Sequence, residues 1–316
     1  MAEIAKRVRP ITKEKALESY QELKNVECKG ATPARTREGT KALDFFFFKH
    51  RLAAKTKRHI SFLNALKNTK TYSYLKNKTR KIKKYGLLTK KSADEELRNQ
   101  YAVFQLYYGT INQFRPLVAK WLYCKLQPKV AVLDFSSGWG GRCIAAMAMG
   151  IPYIGFDANK KLEKSYESMV KTLEPSADVK MTFKPSETVD FTKYKYDLVF
   201  TSPPYFMIEE YEGMPAYDKK QGFLDVFFVP VVKSAWEGLQ SGGHLALNMP
   251  EEMYESIKKC LPKLTTKIKM PLMDRRAVAA AKGEAIEGEG GQFEYIYIWK
   301  KSGKADFEKQ GCGVAP

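Results

Sequence analysis

The stretch VLDFSSGWGGR, residues 132–142, joins an apolar strand pattern to a glycine-rich turn, and its reading decides the fold. It lies within KVAVLDFSSGWGGRCIAAMAMGIPYIGFD (129–157), which reads as strand, turn, helix and strand. The strand runs are apolar throughout instead of alternating, the pattern of strands covered on both faces. Further units follow: DVKMTF (178–183), YDLVFT (196–201), the helix-like FLDVFFVPVVKSAWEGL (223–239), GGHLALNM (242–249) and FEYIYIWKK (293–301). Strands alternating with helices predict an α/β fold with an open, doubly wound, mostly parallel sheet. DRRAVAAAKGEAIEGEGG (274–291) is rich in Gly, Ala and Glu and reads as a mobile stretch before the last strand.

In such sheets ligands bind beyond the carboxyl ends of the strands, where glycines let the backbone come close. The loop lacks GxxxxGK[ST], which excludes a triphosphate P-loop, and it misses the strict dinucleotide spacing. Asp134 ends the first strand, where it could meet a cation such as an amino-acid ammonium. Asp157 follows 23 residues later at the tip of the second strand, suited to accept from ribose hydroxyls. A glycine loop alone fits an ordinary turn; the two acids in register point to a nucleoside-type ligand.

TSPPYF (201–206) ends another core strand with two prolines, which donate no backbone N–H and cannot continue it. One reading is a strand-exit turn. The other is a rigid wall, in which the Ser202 hydroxyl and a proline-held carbonyl grip an exocyclic amine while Tyr205 stacks on a planar ring. The second accounts better for Ser-Pro-Pro-Tyr after a nucleoside-type loop.

On these residues the chain resembles the S-adenosylmethionine-dependent amino-methyltransferases acting on DNA, the N4-cytosine and N6-adenine class. Their hallmark (D/N/S)PP(Y/F) is matched by Ser202, Pro203, Pro204 and Tyr205, and their cofactor loop by DFSSGWGGR. The resemblance implies a Rossmann-like methyltransferase sheet over residues 100–302, S-adenosyl-L-methionine as cofactor, and those four residues as the catalytic set. It implies cofactor contacts from Asp134, Ser136, Gly138, Gly140, Asp157 and Thr201, with Ser186 matching by position only. NQFRP (112–116) is similar to the cofactor-proximal segment upstream of the first strand. Phe206 is expected beside the base. The family's usual recognition domain is not evident, since only about 60 residues separate the glycine loop from TSPPY.

Residues 1–100 hold 26 Lys and Arg against 10 Asp and Glu, while the whole chain of 316 residues has a net charge of +19. Nearly all the excess therefore sits in the first third, which predicts a polyanionic partner. Residues 1–99 are read as a basic, mainly helical nucleic-acid-binding region, and 303–316 as a tail. Helical spacing appears in EKALESYQELKNV and in 40–68; Ser92 starts a helix and Pro116 opens the next. Lys49, Arg51, Lys57, Arg58, Arg80, Lys81, Lys83 and Lys84 are the expected phosphate contacts. Four adjacent phenylalanines, Phe45–Phe48, cannot share one helix face, so some belong to a core.

The partner expected is DNA in preference to RNA. The competing readings are an RNA amino-methyltransferase and a non-catalytic nucleic-acid-binding or assembly subunit that keeps the fold. No run reaches the ~18–20 apolar residues of a membrane span, and MAEIAKRVRPITKEK has no apolar signal core. Five scattered cysteines without CxxC suggest reduced thiols in an intracellular compartment, and three histidines argue against a histidine-rich metal site.

Overall fold

The computed structural model describes residues 1–28, 30, 36–84, 92–205, 217, 220–270 and 294–303. The glycine-loop segment folds as expected. β1 (Val132–Asp134) leads through the loop into α8 (Gly141–Ala148) and returns as β2 (Tyr153–Asp157). α9 (Glu163–Leu173) then leads to β3 (Val179–Phe183), and β4 (Leu198–Thr201) ends at TSPPY. β5 (His244–Met249), β6 (Thr266–Met270) and β7 (Glu294–Lys300) complete the sheet.

The seven strands lie in the order β3-β2-β1-β4-β5-β7-β6. β3, β2, β1, β4 and β5 are parallel, and β7 runs antiparallel to both β5 and β6. The chain therefore builds outward from β1 to β3, then crosses back to place β4 on the other side of β1. This reversal opens a crevice at the carboxyl ends of β1 and β4, the place where doubly wound sheets bind ligands.

Strand residues alternate between two buried layers. Val132, Leu198, Phe200 and Ala246 face one cluster, while Leu133, Val199, Leu245 and Leu247 face the other. The first layer is made by α2 (Lys13–Asn25), α3 (Thr40–Ala53), α7 (Pro116–Leu126), α8 and α9. It joins Tyr20, Leu23, Leu43 and Phe47 of the basic third to Val118 and Ile144 of the sheet region. The opposite layer includes a continuous helical run from Lys220 to Gly238, whose middle, Phe223–Phe228, has π-helical pairing. Pro230 lies just beyond that stretch and lacks the N–H for an ordinary bond four residues back, a physical reason for the widened turn.

A third cluster holds the remaining N-terminal helices: α1 (Ala2–Val8), α4 (Phe62–Lys67), α5 (Thr69–Lys84) and α6 (Ala93–Tyr108). Ser92 caps α6, its hydroxyl accepting from Glu95 N–H at 3.2 Å, and Pro116 opens α7. Phe46, Phe47 and Phe48 are buried and Phe45 is exposed. Cys28 and Cys124, 96 residues apart in sequence, are paired as a disulfide with Cα atoms 6.0 Å apart. No helix among the described residues is long and apolar enough to cross a membrane. The segment 274–291 lies outside the described residues.

Candidate active site

Asp134 ends β1 fully buried, at the reversal point. Arg142 donates to it from Nε at 2.6 Å and from Nη2 at 3.3 Å. The Tyr153 hydroxyl donates at 2.5 Å and the Ser136 N–H at 3.2 Å. The Arg142 guanidinium also donates to the Ser136 carbonyl at 2.5 Å. Burial disfavours the charged guanidinium, but Asp134 and Tyr153 outweigh it, and the net effect holds Arg142 charged. Asp134 thus braces the loop from within, its oxygens engaged by the protein.

Backbone form explains the glycines that follow. Gly140 is left-handed with φ 77°, and a side chain on Gly141 would place Cβ 2.1 Å from the Phe114 carbonyl. That contact brings NQFRP against the loop, where the Phe114 ring lies 5.1 Å beneath the Arg142 guanidinium and edge-on to Phe200.

Asp157, at the tip of β2, accepts from Gly138 N–H at 2.8 Å and from Asn159 N–H at 2.9 Å. Burial pushes its carboxyl up to about 6, against the pull of those two amides. The buried Ser186 hydroxyl donates to the Phe135 carbonyl at 2.6 Å, tying the segment after β3 to the loop after β1. Thr201 ends β4, and its buried Oγ1 has no hydrogen-bond partner among the described residues. The expected cofactor residues therefore gather at one edge of the sheet.

TSPPY leaves that same edge. Pro203 is buried; Ser202, Pro204 and Tyr205 are half-buried. Ser202 Oγ lies 3.4 Å from the Tyr205 hydroxyl and 3.4 Å from Asn248 Oδ1. The Tyr205 hydroxyl lies 3.5 Å from the same Oδ1, while Asn248 Nδ2 donates to the Tyr295 carbonyl at 3.2 Å. That second bond orients the amide with its oxygen toward Ser202 and Tyr205.

Glu294 opens β7 beside this group. Burial raises its carboxyl, while hydrogen bonds from Tyr205 and Asn248 and the charge of Arg115 pull it back. Sequence reading missed Asn248, Glu294 and Arg115. The available signal was a polar residue at the edge of each apolar strand pattern, in LALNM and in FEYIYIW. Phe206 lies outside the described residues.

The expected phosphate contacts divide. Lys57, Arg58, Arg80 and Lys81 are exposed and Lys49 is half-buried. Arg51 is a correction: it is 5% exposed and donates to Asp44 at 2.5 Å, to Gln113 at 2.8 Å and to the Ile111 carbonyl at 2.9 Å. Its place inside the fold, facing a buried acid two turns back on α3, withdraws it from any phosphate. The side chains of Lys83 and Lys84 lie outside the described residues.

Strand order, the antiparallel last strand and the loop at the reversal together settle the architecture. The chain has the methyltransferase fold. No protein-family model and no curated protein matches it. Among solved structures it is similar to TrmN from Thermus thermophilus, at 17% identity and TM-score 0.42, covering 59% of this chain and 48% of that one. An rRNA methylase from Streptococcus thermophilus aligns at 9% identity and TM-score 0.38, over 61% of this chain and 100% of the other. A tRNA (uracil-54, C5)-methyltransferase of Pyrococcus abyssi, in complex with S-adenosyl-L-homocysteine, aligns at 14% and 0.39, over 58% and 37%. The chain thus spans about half the length of TrmN.

The expected membership of the DNA amino-methyltransferase family is corrected by these findings. No family model and no curated protein carries it. The preference for DNA as partner falls with it. S-adenosyl-L-methionine is the cofactor of this fold. The residues present fit it: Asp157 ends β2 and Thr201 ends β4, on either side of β1 at the carboxyl edge of the sheet, and Thr201 Oγ1 has no partner among the described residues.

Proposed function

We propose that this protein methylates an exocyclic amino group of a nucleobase in RNA, with S-adenosylmethionine as methyl donor. The observation that carries the reading is the Ser202–Tyr205–Asn248 cluster, set at the carboxyl edge of the sheet next to the glycine loop and Asp157. Bound S-adenosylmethionine supplies a methyl group on a positively charged sulfur. Asp157 would accept from ribose hydroxyls, and Thr201, whose buried Oγ1 has no partner among the described residues, ends β4 at the same edge of the sheet. Ser202 and the Pro203 carbonyl would hold the amine so that its lone pair is aimed, and Tyr205 would pack on the base. Placement of the two reactants is then the main source of rate.

RNA suits the chain's own features. Only about 60 residues separate the glycine loop from TSPPY, too few for an inserted recognition domain. The target base must therefore come to the site with little help, as unstacked bases of RNA loops and single strands do. The exposed cations Lys57, Arg58, Arg80 and Lys81 would meet the backbone.

Labelled S-adenosylmethionine offered with total RNA and with DNA, followed by nucleoside analysis, tests the reading. Label in a methylamino nucleoside of RNA is expected, and Ser202→Ala and Tyr205→Ala each lower the rate about 100-fold. Label in DNA alone, or in neither polymer, overturns it.

A further inference from the structure

Resting on the amino-methylation reading, we propose that Glu294 is the proton acceptor of the reaction, held in the target pocket by Asn248 and Tyr205. The geometry comes from the antiparallel last strand. β7 runs antiparallel to β5, so its first residues lie at the carboxyl edge where the parallel strands end. Met249 pairs with Tyr295 and Asn248 with Ile296, which sets Glu294 one step beyond, where β5 ends. By strand alternation Glu294 and Asn248 share the sheet face of Ile296 and Ala246, and Tyr205 and Asn248, two of the three side chains of the cluster described above, both favour the ionised Glu294 carboxyl.

Such a group has a chemical task in this reaction. The lone pair of the amine forms the N–C bond, and the electron pair of the broken S–C bond stays on sulfur, leaving a neutral thioether. The nitrogen then carries one proton in excess. Its N–H bond breaks, the pair returning to nitrogen, and the proton joins a carboxylate oxygen of Glu294, which later releases it to water. Ser202 and Tyr205 are poor proton acceptors at neutral pH, because a neutral hydroxyl that gains a proton becomes a strongly acidic oxonium. A buried carboxylate does so directly.

Among the described residues, the charged or titratable groups facing Glu294 are Arg115, ahead of α7, and Tyr205. Burial raises the Glu294 carboxyl above the ordinary glutamate range, which brings it nearer the pH at which an acceptor works best. Arg115 opposes that rise and keeps the ionised form populated.

The test compares wild type with Glu294→Gln, which keeps the shape and removes the acceptor, and with Glu294→Asp in case the amide does not fold. The transfer rate of Glu294→Gln is expected to fall about 100-fold. Calorimetric affinity for S-adenosylmethionine and the unfolding temperature should stay unchanged. The wild-type rate should rise with pH as the carboxyl ionises, and the Gln variant should lose that limb. An infrared pH titration gives a readout without turnover: the wild-type minus Glu294→Gln difference must contain a carboxyl titrating above the ordinary glutamate range. A flat difference spectrum, or equal rates with the same pH limb, overturns the Glu294 assignment alone. Wild type that binds S-adenosylmethionine but methylates neither polymer overturns the amino-methylation reading, and this inference with it.

Discussion

Asp157 shows how burial and function pull one carboxyl in opposite directions. Its folded value of about 6 lies above the ordinary aspartate range because burial disfavours the charge, despite two backbone amides that favour it. For the ligand-free fold the sign is clear: the native state binds the proton more tightly than the unfolded chain. This group alone therefore adds stability as pH falls through about 6 toward its ordinary range. If Asp157 accepts from the ribose hydroxyls as proposed, cofactor binding has the reverse sign, since that role needs the ionised carboxylate. Calorimetric affinity for S-adenosylmethionine should drop about tenfold between pH ~7 and ~5. Asp157→Asn should bind weakly with no such slope. The Asp134–Arg142 pair is the structural counterpart, almost wholly removed from water. Arg142→Met would leave a buried carboxylate uncompensated, at about 3–5 kcal/mol of stability in urea unfolding. Adding Asp134→Asn should recover part of that loss, because the double variant buries no charge.

At the level of elements, two buried lysines close the carboxyl ends of helices. Lys120 Nζ donates to the carbonyls of Leu23 and Lys24 at the end of α2, at 2.8 and 2.7 Å. Lys301 Nζ donates to those of Trp236, Glu237 and Leu239 at the end of α11 (Val229–Gly238), at 2.8, 2.9 and 2.8 Å. Terminal carbonyls have no partner within their own helix, so a buried end needs such a donor. Lys301→Met should therefore lower stability by about 2–3 kcal/mol in urea unfolding, with cofactor affinity retained in the folded fraction. Neither role was legible in the sequence, because the lysine and its helix end are far apart along the chain. The same limit applies at the site. β1, β4 and β5 could be read from continuous apolar runs, and the loop from its glycines. The strand order, the antiparallel β7 and hence the meeting of Ser202, Asn248 and Glu294 depend on pairings across nearly a hundred residues. Arg51 misled for a related reason: its charge suggested phosphate, while Asp44, the acid that claims it, stood seven residues earlier on the same face of α3.

For the whole molecule the question is how the basic third acts on the rest. Its charge invites removal of residues 1–99 as a test, but the packing argues against that experiment. Tyr20, Leu23, Leu43 and Phe47 are fully buried against α7 and α8, so the truncated chain would expose one face of its core. Fully burying a single large apolar side chain is worth about 1.5–3 kcal/mol, so losing several exceeds the stability of an ordinary domain. A truncated protein that failed to bind RNA would report unfolding. Charge neutralisation separates the two effects, because Lys57, Arg58, Arg80 and Lys81 are exposed. If each meets one phosphate of a single strand, changing all four to Gln should reduce the slope of log affinity against log salt by about 3. Affinity should fall for every RNA sequence alike, since phosphate contacts carry no sequence information. S-adenosylmethionine affinity and unfolding temperature should hold, as these four side chains are exposed and none belongs to the site at the strand ends. An unchanged salt slope would move the RNA track to another surface and leave the sheet-edge site standing on its own geometry.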